Sequence, residues 1–174
     1  MMKTTIGALV ATLLLSFSAL AKAEGQLQVR VDLAPSLSSG TRTGVGGDLR
    51  LGYQLDLPVL FFTPQVGVGY HRFPGEPLVP DVSVAAPYAG AQIGVGSTIR
   101  PYVEAHVGAA HRAYDPSLPI DGWSPYFDVG GGLGIRAIRY VEFGGHLNLA
   151  IVPATNTRPE TSWLGIGVDV SLYF

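Results

Sequence analysis

From Leu27 to the C-terminus the chain alternates apolar residues with polar residues or glycine, in eight separate runs. A period of two sends successive side chains to opposite faces of an extended strand, so each run specifies a strand with one apolar and one polar face. The last run is the cleanest: Leu164, Ile166, Val168, Val170, Leu172 and Phe174 alternate with Gly165, Gly167, Asp169, Ser171 and Tyr173. The other runs begin near Leu27, Leu49, Val66, Ala89, Val103, Phe127 and Val141. No stretch beyond residue 24 carries the 3.6-residue apolar spacing of a helix. A typical globular strand has about 5–6 residues, whereas most of these runs reach the roughly 9–11 that a tilted strand needs to cross a bilayer.

The connections alternate too. Pro35–Thr43, Pro74–Asp81, Asp115–Trp123 and Pro153–Glu160 are polar and rich in Pro, Gly or Ser, while those around Pro58-Val59, Gly96–Ile99 and Ala137–Arg139 are much shorter. Long loops at one rim and tight turns at the other are the pattern of an up-and-down transmembrane barrel. Most prolines are expected in the long loops or at strand ends, where no ladder donor is lost. The expected fold is all-β: an eight-stranded antiparallel up-and-down transmembrane β-barrel.

Residues 1–23 read as a cleaved signal peptide preceding the barrel, which would occupy 24–174. Lys3 supplies a positive start, Ile6 to Leu20 is apolar, and Ala21-Lys22-Ala23 gives the small-x-small cleavage pattern. The chain is therefore expected to be exported. It has no cysteine, which excludes a disulfide framework and a thiolate nucleophile. Beyond residue 23 it carries nine arginines and no lysine against thirteen acids, which excludes a basic nucleic-acid binder.

Alternation alone leaves open which face is outside, because a soluble lipocalin-like barrel would turn its apolar face inward. Three features favour lipid. The polar face carries at least a dozen glycines, as suits eight strands crowding a narrow interior, and it has no lysine. The apolar face is read as uncharged within every strand, and a continuous apolar band in water would aggregate. An arginine facing lipid near the midplane would cost about 2–4 kcal/mol. The polar set is thus assigned to the interior: Arg30, Asp32, Asp48, Arg50, Asp56, Glu104, His106, Arg112, Asp128, Arg136, Glu142, His146 and Asp169. An eight-stranded interior is just wide enough for side chains to fill, and charges enclosed there must be paired. Arg136 and Glu142 flank one short turn and are expected as neighbours. Tyr88, Tyr102, Tyr126, Tyr140, Trp163 and Tyr173 are candidates to fill the space that the glycines leave.

Phe61, Phe62, Phe143 and Phe174 are placed toward the short-turn rim, and Tyr70, Phe73, Tyr114, Trp123 and Phe127 toward the loop rim. Two such girdles suit two lipid–water boundaries.

The terminal Val168-Asp169-Val170-Ser171-Leu172-Tyr173-Phe174, together with the leader and eight strands, resembles the small outer-membrane β-barrels of Gram-negative bacteria, the opacity-like and outer-membrane-protein-A-type class. The resemblance covers the whole chain after the leader as architecture. It implies a place in the bacterial outer membrane, contact with its lipid and lipopolysaccharide, and insertion by the barrel-assembly machinery, with Tyr173 and Phe174 as the assembly signal.

Chemical motifs are few. Gly130-Gly131-Gly132-Leu133-Gly134 lies inside a strand with no helix and no Gly-Lys-Ser/Thr after it, so it is no phosphate loop. His106 and His111 fall on opposite faces of one strand. His71, His106 and His146 could meet at a metal only across strands, and lumen filling is the expected role. His146-Leu147-Asn148 followed by Glu160 is similar in order to the His-x-Ser and later Glu of outer-membrane lipid A deacylases. Asn148 replaces the serine, an amide is no activated nucleophile, and strand parity turns His146 inward. No catalytic residue, metal or cofactor is expected. The expected function is a non-enzymatic outer-membrane barrel with a plugged polar interior, acting through its short surface loops or its stability. The alternatives are a narrow pore or small-ligand transporter and, behind it, a deacylase-like enzyme.

Overall fold

A computed structural model describes residues 22–38, 42–75, 81–115, 122–155 and 159–174. The expected signal peptide, apart from Lys22 and Ala23, lies outside the described residues, as do parts of all four long loops. Eight strands follow one another: β1 (Lys22–Pro35), β2 (Thr43–Asp56), β3 (Leu60–Phe73), β4 (Asp81–Val95), β5 (Ile99–Asp115), β6 (Gly122–Ile138), β7 (Val141–Val152) and β8 (Thr161–Tyr173). Each pairs antiparallel with the next, and β8 closes on β1.

The register fixes the shape. Paired residues followed around the wall run Gln26, Gly52, Gln65, Gly90, His106, Asp128, Ala150 and Trp163, and return to β1 at Ser36. The path ends ten residues beyond its start, a stagger that tilts eight strands by roughly 40° to the axis. Arg30 on β1 and Glu104 on β5 therefore come from opposite walls.

The two faces separate as the alternation requires. Outward aliphatics are exposed, with Val31 at 62%, Val103 at 65% and Val168 at 66%, whereas Arg30, Arg50 and Arg112 are at 2% or less. This is the inverse of a soluble barrel, and an apolar outer wall suits hydrocarbon contact.

The strands are longer than the alternating runs, and that corrects one expectation. Arg72 lies within β3, facing out, so the outer face does carry a charge inside a strand; it sits beyond Tyr70 at the loop rim and pairs with Asp81 at 2.7 Å. Four prolines, Pro64, Pro87, Pro101 and Pro125, fall inside strands. All four face outward. Pairing lapses beside Pro64, between Gly52–Gln65 and Leu55–Phe62, and beside Pro87, between Ala85–His111 and Tyr88–Gly108. A ring nitrogen without hydrogen cannot complete the ladder there. Gly96, in the β4–β5 turn, has φ +94°, a conformation that glycine alone adopts without strain.

Among the aromatics, Tyr70, Trp123, Phe127, Phe143 and Phe174 are exposed at the two rims as expected. Phe61 and Phe73 are corrections: strand parity turns both inward, where they are 3% and 2% exposed. Tyr140 is the reverse case. It sits in the β6–β7 turn, 54% exposed, and does not fill the lumen.

The enclosed polar lumen as candidate site

The described residues of the inward face form layers. The central layer is built around Glu104 of β5, which receives a two-pronged contact from Arg30 of β1, Nη1 to Oε1 at 2.5 Å and Nη2 to Oε2 at 2.7 Å. Arg50 of β2 adds Nη1 to Oε2 at 2.9 Å, and donates its other amine to Asp48 at 2.9 Å and its Nε to the Tyr88 hydroxyl at 2.7 Å. Tyr102 accepts from Arg30 at 3.0 Å. Two cations and two carboxylates are thus held buried in the interior, where charge-assisted bonds are strong and an unpaired charge is costly.

Three aspartates each meet a histidine. His71 lies 2.9 Å from Asp32, His106 lies 3.6 Å from Asp128, and His146 lies 3.4 Å from Asp169. Asp128 also accepts from Tyr126 at 3.0 Å and Asn148 at 2.7 Å, and Asp169 from Gln28 at 2.9 Å. The three histidines therefore serve three separate pairs. Among the described residues, Glu104, His106 and Asp128 bring ligand atoms within 4.8 Å of one another, as a metal site requires. Glu104 is already saturated by two guanidinium groups, which also repel a cation, so the donor set suits the ion-pair network better than a metal.

Toward the short-turn rim, Arg100 of β5 donates to Glu142 at 2.7 Å, to Gln54 at 2.7 Å and to Tyr173 at 3.1 Å, and stacks 4.0 Å over the Phe61 ring. Arg136 and Glu142 are cross-strand partners as expected, but their charges go elsewhere: Arg136 pairs with Glu24 at 2.5 Å. A recess of about 450 Å³ opens at this rim, lined in part by Asp56, Phe61, Arg100 and Arg136. Toward the loop rim, Arg112 donates to the Pro159 carbonyl, to Thr161 at 3.2 Å and to Ser124 at 3.0 Å.

Every residue assigned to the polar interior is inward-facing. Arg100 was the missing member. Its signal was present, since it shares parity with Tyr102 and Glu104, but the alternating run was started after it. Gln26, Gln28, Gln54, Gln65, Gln92 and Asn148 are equally enclosed, at 0–4% exposure. Tyr173 is buried in the lumen while Phe174 is 77% exposed on the outside, its backbone bonded to Gly25.

No family model and no curated protein matches the chain. Solved structures do. Neisserial surface protein A, NspA, superposes with a TM-score of 0.68 at 17% identity, over 88% of this chain and 99% of that one. The outer-membrane enzyme PagL gives 0.58 at 12% identity, over 84% and 98%. Ail, the attachment invasion locus protein of Yersinia pestis, solved with the heparin analogue sucrose octasulfate, gives 0.54 at 10%, over 88% and 99%. At these identities the common property is architecture. The chain has the fold of the small eight-stranded outer-membrane β-barrels.

Proposed function

We propose that this chain is a non-enzymatic integral protein of the bacterial outer membrane, with a plugged interior and a role carried by its surface loops or by the barrel itself. The observation that carries the reading is the filled interior, in which Arg30, Arg50, Glu104, Phe73 and Trp163 are all at most 3% exposed. The Arg30–Glu104–Arg50 cluster spans opposite walls at mid-height and leaves its charged groups engaged with one another. The exposed aliphatic wall is matched to lipid and lipopolysaccharide acyl chains, and Tyr173-Phe174 serves as the assembly signal at the closing strand.

Similarity to PagL supports the fold and not an activity. His146 and Asn148 are 6% and 4% exposed on the inner face, and no serine hydroxyl stands two residues after the histidine. The alternative reading, a narrow pore or small-ligand transporter, is favoured by the recess at the short-turn rim.

Membrane fractionation with heat-modifiable gel mobility tests the location, and planar-bilayer recording tests the plug. Outer-membrane recovery and electrical silence are expected. Recovery in the soluble periplasm overturns the first, and reproducible single-channel steps overturn the second.

A further inference from the structure

The lumen changes character along its length. Toward the loop rim lies a layer of Ala34, Phe73, Val84, Ala110, Val152 and Trp163, each at most 2% exposed, with Phe73 edge-on to Trp163 at 5.5 Å between centroids. Of these six side chains only Trp163 carries a polar atom, its indole N–H, and that single atom has no protein partner either. Below that layer the chemistry reverses. Gln26 Oε1, Gln28 Oε1, Thr63 Oγ1, Gln65 Oε1, Gln92 Oε1 and Asn148 Oδ1 all lack a protein hydrogen-bond partner, on side chains of residues no more than 4% exposed.

Leaving a buried polar atom unsatisfied costs about 1–3 kcal/mol. Six such atoms below one apolar layer are sustainable only where water completes their bonds, as it does in the polar interiors of globular proteins. The recess of about 450 Å³ at the short-turn rim is the open face of this half, and the inward residues Phe61 and Arg100 are part of its lining.

We infer that the lower lumen is a one-ended hydrated chamber entered from the short-turn face, and that the Phe73–Trp163 layer is the seal closing it toward the loops. The inference rests on the plugged reading and names which layer does the plugging. An ion-pair network in contact with water rearranges its bonds around passing water, whereas an apolar constriction excludes water and ions by dewetting. The seal is therefore the aromatic layer and not the Arg30–Glu104–Arg50 cluster.

Two measurements on the full refolded barrel test this. In NMR spectra of the wild type, the side-chain amides of Gln26, Gln65 and Gln92 are expected to show cross-peaks to water, and the Trp163 indole N–H to show none and to exchange slowly. Glutamine amides without water contact, or a Trp163 indole exchanging as fast as they do, overturn the inference. In planar bilayers the wild type is expected to be silent and the F73A/W163A variant to give single-channel steps. Steps in the wild type sink the plugged reading itself. Silence of an F73A/W163A barrel whose unheated band shows it folded sinks the seal alone. W163L is the milder variant if the double one does not fold, and the NMR result decides in either case.

Discussion

Arg30 and Glu104 meet across the full width of the barrel, from strands four places apart in an eight-stranded wall, through two parallel bonds of 2.5 and 2.7 Å. A contact of this kind ties opposite walls together directly, something the ladder between neighbouring strands cannot do. Because Arg50 shares the same carboxylate at 2.9 Å, Glu104 binds two guanidinium groups at once, and Asp48 supplies the second negative charge.

Removing that carboxylate leaves Arg30 without an anionic partner and Arg50 with Asp48 alone. Glu104→Ala is expected to destabilise the folded barrel by about 3–5 kcal/mol, the range for breaking a buried ion pair from one side. Replacing all four charges, as R30M/D48L/R50M/E104L, is expected to cost far less than the single change, since no uncompensated charge of the cluster remains. Urea unfolding of refolded protein in lipid vesicles measures both. A quadruple variant weaker than E104A would show that the cluster stabilises by attraction and not merely by avoiding stranded charge.

The outer wall makes an independent prediction. Val168 is 66% exposed in the middle of β8. Val168→Arg is expected to cost about 2–4 kcal/mol in a lipid bilayer, as for a cation facing hydrocarbon near the midplane. In a barrel surrounded by water the same change would be within about 0.5 kcal/mol of neutral, as for ordinary surface substitutions. Equilibrium unfolding in vesicles separates the two.

The architecture was legible because lipid enforces strict alternation: Leu164 to Phe174 state the face of every residue in β8 without reference to any other strand. Strand ends were less legible, since alternation fades where the wall leaves the hydrocarbon. Arg72 and Arg100 lie in those margins, outside the alternating runs. Pairing was the least legible part. Arg136 and Glu142 are sequence neighbours across a turn, but Glu24 and Arg100 arrive from other strands with better geometry, and only the barrel's closure and stagger bring them there. Phe61 and Phe73 were misplaced because aromatic rings suit a lipid girdle and a crowded interior equally well; parity, not residue type, decides.

At the loop rim, Asp81 accepts a bond from Arg72 at 2.7 Å and from the Gly75 backbone N–H at 2.5 Å. The Arg72 bond first, then the Gly75 bond, hold its carboxyl below the ordinary carboxylate range. A lowered folded value means the interaction favours the fold above the ordinary carboxylate range and is lost as pH falls through the depressed value. Arg72→Gln is expected to move the Asp81 midpoint upward in an NMR titration, with little change in unfolding because the pair is exposed. An unmoved midpoint would assign the shift to Gly75 instead.

Glycines on the two faces are expected to behave oppositely. A Cβ on inward Gly132 would sit 2.4 Å from both the Gly145 carbonyl oxygen and the Tyr102 hydroxyl, whereas one on outward Gly145 meets nothing nearer than 3.7 Å. Gly132→Ala is expected to destabilise by about 1–3 kcal/mol through overpacking. Gly145→Ala should be neutral or stabilising by up to about 1 kcal/mol, because it narrows the unfolded ensemble. Equal effects in vesicle unfolding would mean that the interior is looser than the register implies.

The enzymatic reading has a direct test in Asn148. If the His-x-Ser order of the lipid A deacylases were all this chain lacked, Asn148→Ser would complete it. Geometry argues against that. Asn148 donates to Asp128 at 2.7 Å inside the lumen, and His146 lies 3.4 Å from Asp169 on the same inner face, so both belong to the enclosed network. An acyl ester approaching from the membrane meets Leu147 and Leu149 on the outer wall, and a serine at 148 would face Asp128 and not the ester. General-base activation needs nucleophile, base and substrate within hydrogen-bond reach of one another. Mass spectrometry of lipid A from cells expressing N148S is expected to show the same acyl-chain number as cells without the protein. Loss of an acyl chain would mean that this part of the wall opens to lipid, and the enzymatic reading would then displace the structural one.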